Sequence, residues 1–140
     1  MEIVNEIQQH YNGEEKFFVT GWSGGGNLSW WLTFRHPEKL NSIALSAANY
    51  FGFGITYNNS SEQEAVVFST APDRQNLPIK AFQGEKDPSL VGLSKQWEMV
   101  QKVAKTHGYN NLSRQVIAGR DHNPFAAEVI DFFLSQLPAN

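Results

Sequence analysis

Two hydrophobic periodicities alternate along the chain and predict a succession of helices and strands. Ile3, Val4, Ile7 and Tyr11 recur at helical spacing and Asn12-Gly13 supplies a stop, so a helix is expected over about residues 2–11. Lys16 to Thr20 reads as a short buried strand. A helical pattern returns from Gly24 to about Arg35, where Leu28, Trp31, Leu32 and Phe34 are the apolar positions expected to cover a sheet. That helix must end before Pro37, because the residue preceding proline disfavours helical backbone. Leu40 to Ala47, Ile79 to Gln83 and Leu112 to Ala118 are further strands. Leu90 to Thr106 is a long amphipathic helix on Leu93, Trp97, Val100, Val103 and Ala104, stopped at Gly108. A last helix is expected from about Phe125 to Leu137. Asn49 to Ser61 has no clear period and reads as a loop, followed by a short helix over Glu62 to Phe68.

Helix and strand alternate throughout, with no internal repeat and no linker. The expected architecture is therefore one α/β domain over residues 1–140, with about four parallel strands, right-handed crossovers and helices on both faces. In such sheets ligands collect at the carboxyl ends of the strands.

Composition narrows the function more than the fold. A chain of 140 residues is one domain by length and buries roughly 68% of its unfolded surface. The net charge of −3 includes no basic cluster, which gives no support to nucleic acid or a membrane as partner. No apolar run approaches the ~20 residues of a membrane span. Cysteine is absent, which excludes thiolate catalysis and cysteine-held zinc but leaves the compartment open. Met1 to Glu6 is acidic and amphipathic, unlike a secretory signal. No motif calls for a cofactor or a metal.

The chemistry gathers around Phe17-Phe18-Val19-Thr20-Gly21-Trp22-Ser23-Gly24-Gly25-Gly26-Asn27. Gly21-Trp22-Ser23-Gly24-Gly25 is a Gly-x-Ser-x-Gly pentapeptide between a strand and a helix, the context of a nucleophile elbow. The plain alternative is a glycine-rich loop that happens to hold a serine. A serine hydroxyl needs a base within reach, and imidazole titrates near neutral pH. Of the four histidines, His10 belongs to the first helix, and His36 and His107 close helices, where a partly charged ring offsets the dipole. His122 alone lies in a loop after the last strand. Asp87 follows the third strand in Gly84-Glu85-Lys86-Asp87-Pro88 and is the candidate acid, although aspartate before proline is also ordinary turn chemistry. Glu85 is the second choice. Asp121 adjoins His122 and is expected to point away from it, and Asp73 ranks lower. Ser23, Asp87 and His122 all fall just past strand ends.

The order Ser, Asp, His is that of the α/β-hydrolases. The chain resembles the C-terminal half of such an enzyme, and is most similar to esterases of the polyhydroxybutyrate depolymerase and feruloyl esterase type. The resemblance rests on the strand and elbow with His36-Pro37-Glu38-Lys39-Leu40 before the next strand, the turn Gly84 to Pro88, and Gly119-Arg120-Asp121-His122 before a helix. It implies a carboxylic ester hydrolase working through an acyl-enzyme, with Ser23 as nucleophile, Asp87 as acid and His122 as base. Gly24 N–H would be one oxyanion donor. Trp22, Tyr50 and Phe51 are candidates for the substrate pocket of a small-molecule ester, with core or surface packing as the plain alternative.

The family has several strands before the elbow that nothing here matches, and they carry the second oxyanion donor. Losing one donor of such a hole costs roughly 10²–10³ in turnover, so weak catalysis is expected. The elbow strand would then be an apolar sheet edge, a pairing template that implies a homo-oligomer, for instance a dimer. The rival expectation is a non-catalytic, partner-binding remnant. A nucleotide-binding reading of the glycines fails, because neither phosphate-loop pattern is present.

Overall fold

The computed structural model describes residues 2–50 and 67–138. Its elements are α1 (Glu2–His10), β1 (Phe17–Trp22), α2 (Gly25–Arg35), β2 (Leu40–Ser46), β3 (Ile79–Gly84), α3 (Leu90–Thr106), β4 (Leu112–Ile117) and α4 (Ala126–Leu134). Short 3-10 turns at Pro37–Lys39 and Pro72–Gln75, unforeseen in the sequence, lead toward β2 and β3. The four strands form one parallel sheet in the order β1-β2-β3-β4. The helix expected over Glu62 to Phe68 lies largely outside the described residues, as does Phe51.

Helices cover both faces. Ile43, Leu45, Ile79 and Ala81 point into a core completed by Trp30 and Phe34 of α2 and by Trp97 and Val100 of α3. On the opposite face Ala44 and Phe82 pack with Phe125 and Val129 at α4. β2 is therefore buried on both sides, as suits a central parallel strand.

The two sheet edges differ in kind. β4 shows Ser113, Arg114 and Gln115 to solvent, a polar edge that resists pairing. β1 pairs with β2 alone among the described residues and carries Phe17, Phe18 and Val19. Phe18 meets the ring of Phe133, with centroids 4.8 Å apart. Two helices also leave apolar residues exposed, Ile3 and Ile7 on α1 and Ile130 and Leu134 on α4. Among the described residues no helix is long and apolar enough to cross a membrane.

One expectation fails on the buried face of α2. Leu28 is 60% exposed, whereas Phe34 is buried and Leu32 packs on the core as expected, and the other buried positions are Gly26, Ser29, Trp30 and Thr33. The reason is steric. At its start the helix leaves the elbow so close to its strand and to Ala48 that the small residues Gly26 and Ser29 must face inward, which turns Leu28 to solvent. Strand β1 also runs two residues further than expected, to Trp22, so the elbow begins directly at the strand end.

Candidate active site

The elbow is built by backbone and is tight. Ser23 has φ +51, a left-handed conformation that residues with a Cβ adopt at a cost. Ser23 N–H donates to Ser46 O (3.1 Å), and Ser23 O accepts from Gly26 N–H (3.0 Å) and Asn49 N–H (2.8 Å). Ala47, also left-handed at φ +43, turns the chain after β2 so that Asn49 can make that bond. Side-chain space is absent on both sides. A Cβ on Gly21 would lie 2.3 Å from Ser29 Oγ, and one on Gly26 would lie 2.5 Å from Ala48 Cβ. Gly24 precedes the first turn of α2, where amides have no partner inside the helix and the dipole favours negative charge.

Asp87 and His122 come together beside this strand end. His122 Nδ1 is 2.7 Å from Asp87 Oδ2, and Asp87 Oδ1 accepts the Ser89 N–H at 2.7 Å. The Asp87 carboxylate is fully buried, while the His122 side chain is 30% exposed. A carboxylate on Nδ1 holds the proton there and leaves Nε2 as the basic atom. The Trp22 ring lies against His122, with centroids 5.8 Å apart, and is itself half exposed.

The other candidates separate cleanly. Tyr50 is 3% exposed and packs edge-on to Trp30 in the core, where burial pushes its phenol up to about 12. It borders a cavity of about 10 Å³ beneath the sheet end, also lined by Trp97 and Gln83, the size at which a single water begins to fit. Glu85, the second choice as acid, accepts the Gly119 N–H at 2.7 Å instead. Asp121 accepts the backbone N–H of His122 itself, also at 2.7 Å. Asp73 pairs with Lys16 at 2.5 Å near the amino ends of the strands, and that contact lowers its pKa. His36 meets Glu38 at 3.5 Å, and His107 stacks on Phe68. Among the described residues no group of three or more potential metal ligands occurs. The backbone anchors of the elbow, Ser46 O and Asn49 N–H, escaped the sequence reading because any residue can supply them.

No family model matches the chain. No curated protein matches its sequence either. Solved structures do match its fold. The Bacillus cereus carboxylesterase superposes with TM-score 0.60 at 17% identity, over 97% of this chain and 57% of that one. A CIB-like hydrolase from Thermoplasma acidophilum matches with TM-score 0.54 and 16% identity, over 97% and 58%. The Thermus thermophilus protein TT1662 matches with TM-score 0.60 and 19% identity, over 99% and 60%. The fold is that of the α/β-hydrolases. This chain spans somewhat more than half the length of these three structures.

Proposed function

We propose that this chain carries the catalytic machinery of a serine hydrolase acting on small carboxylic esters. Ser23 attacks the ester carbonyl, and His122 Nε2 takes its proton and returns it to the leaving alcohol. Asp87 fixes the imidazole tautomer and stabilises the imidazolium. Gly24 N–H, at the start of α2, donates to the oxyanion of the tetrahedral intermediate, and the resulting acyl-enzyme is released by water. Trp22, half exposed against His122, borders the alcohol or acyl pocket.

The observation that carries this reading is the buried Asp87 carboxylate at 2.7 Å from a partly exposed His122 ring, which lies against Trp22, the residue before a serine held at φ +51. A carboxylate fully removed from water is costly unless it is bonded to a partner that needs it. The hydrolase and carboxylesterase of similar fold support a hydrolytic function in general. A non-catalytic partner-binding module would leave both the buried pair and the strained serine without a role. The test is hydrolysis of p-nitrophenyl acetate and butyrate. The expected result is a burst of nitrophenol followed by slow turnover, both lost in Ser23→Ala. Equal rates in the two proteins would refute the assignment.

The β1 edge supports a second statement about the same molecule. Among the described residues its apolar strand is unpaired on one side, while the β4 edge is polar. We propose that two copies associate through β1 into a dimer. Light scattering after size exclusion should give twice the mass of the 15.8 kDa chain. A monomer that persists at high concentration would contradict it.

A further inference from the structure

The loop that presents His122 is tied to the loop that presents Asp87 by more than the His–Asp contact. Glu85 N–H donates to Ile117 O at 3.0 Å, and Lys86 N–H donates to Arg120 O at 2.8 Å. Gly84 lies so close to the second loop that a Cβ there would sit 2.3 Å from Asp121 O and 2.5 Å from Arg120 O. Between these contacts the chain turns at Gly119, with φ +69. The Gly119 N–H is received by Glu85 Oε2 at 2.7 Å. Apart from Asp87 to His122, this is the one side-chain hydrogen bond between the two loops among the described residues. Downstream the loop is anchored again by Phe125, which is 1% exposed under Ala44 and Phe82. Between Ile117 and Phe125 the bonds to Glu85 and Lys86 at Gly119 and Arg120 are the ties that set the approach to His122, the central functional group of this stretch.

We propose that Glu85 is a positioning residue: its carboxylate fixes the Gly119 turn and thereby the place of the His122 ring against Asp87. The proposal rests on the Ser23–His122–Asp87 reading for its kinetic consequence but not for its structural one. Glu85 touches neither the ring nor the elbow serine, so it acts only through the loop. What it supplies is an acceptor at a fixed point, a role that an uncharged amide oxygen can also fill.

The test uses the whole chain with Glu85→Ala, Glu85→Leu and Glu85→Gln. Two quantities are read: the rate of Ser23 labelling by a fluorophosphonate, and the downfield proton resonance of His122 Nδ1–H. In the alanine and leucine variants labelling should slow by about 10- to 100-fold, the penalty of a small misplacement of a reacting group. The Nδ1–H resonance should broaden or vanish, while the thermal midpoint scarcely moves because the Glu85 bond is exposed. Glu85→Gln should restore both readouts to within a few-fold of the parent, since its Oε1 accepts the same N–H. Wild-type labelling rates and an intact resonance in the alanine and leucine variants would overturn the proposal while leaving the triad standing. A glutamine variant as impaired as alanine would overturn it too. If the parent chain is not labelled at all, the nucleophile assignment falls, and the Nδ1–H resonance alone decides whether Glu85 positions the ring.

Discussion

His122 Nδ1 lies 2.7 Å from Oδ2 of Asp87, and the aspartate has no exposed side-chain surface. A buried carboxylate in that position selects the tautomer in which Nε2 is basic. Asp87→Asn keeps the shape but offers an N–H where an acceptor is needed, so the ring turns its basic nitrogen toward the amide. The expected loss in ester hydrolysis is about 10⁴-fold with the fold retained. Parallel measurement of turnover and circular dichroism checks this. A loss below tenfold would mean that His122 is not working as a base oriented by Asp87.

The strain at Ser23 gives a prediction of opposite sign for stability and activity. Ser23→Gly removes both the hydroxyl and the left-handed strain, since glycine adopts φ +51 freely. It should abolish hydrolysis and raise stability by about 1 kcal/mol. Ser23→Ala should abolish hydrolysis with no such gain. Urea unfolding of the three proteins separates these outcomes, and equal midpoints for alanine and glycine would show that the elbow is not strained.

The glycines after Ser23 are not equivalent. Gly26→Ala drives a Cβ to 2.5 Å from Ala48 Cβ and 2.8 Å from Asn49 O. It should cost about 1–3 kcal/mol, the usual penalty of overpacking. Asn49 N–H bonds Ser23 O, so the same change should also slow Ser23 labelling. Gly25 faces open space, and Gly25→Ala should be neutral or stabilising by up to about 1 kcal/mol. Denaturant midpoints of the two variants make the comparison.

Tyr109 closes the far end of the elbow helix. Its fully buried hydroxyl donates toward Thr33 O (3.1 Å) and Phe34 O (3.0 Å), and burial raises its pKa. These carbonyls belong to the last turn of α2, where intrahelical donors run out, and Phe34 O also accepts the Ser69 N–H at 2.8 Å. Tyr109→Phe should therefore cost about 1–3 kcal/mol in urea unfolding, through the bond to Thr33 O. A difference below the scatter of replicate titrations would show that Thr33 O does not depend on it.

Much of this fold was legible because strand and helix differ in period and because glycine and proline mark the joints. Leu90–Thr106 was found to the residue, since its apolar positions repeat cleanly and Gly108 ends it. The orientation of α2 was legible only at its far end, through Leu32 and Phe34. At its start the sheet-facing residues Gly26 and Ser29 are small because the elbow leaves no room, and small residues carry no hydrophobic signal. At the site, Ser23, Asp87 and His122 stood out because each follows a strand and the order matched a known family. Tyr50 was marked as an aromatic in a loop, yet it lies in the core beneath Trp30. Glu85 is ambiguous in the sequence for a related reason: a carboxylate beside a strand end looks like an acid, and only the fold reveals the Gly119 amide it receives. Pairing between distant loops is set by topology, which no local pattern encodes.

The central claim is that Ser23 is a nucleophile, and the most direct measurement is the site of covalent modification by a fluorophosphonate probe. The folded chain is treated with the probe at neutral pH beside a control serine esterase, digested and analysed by mass spectrometry. The account predicts one adduct, on the peptide containing Ser23, absent after heat denaturation and strongly reduced in His122→Ala. A folded chain in which Ser23 stays unmodified while the control esterase is fully labelled would contradict it.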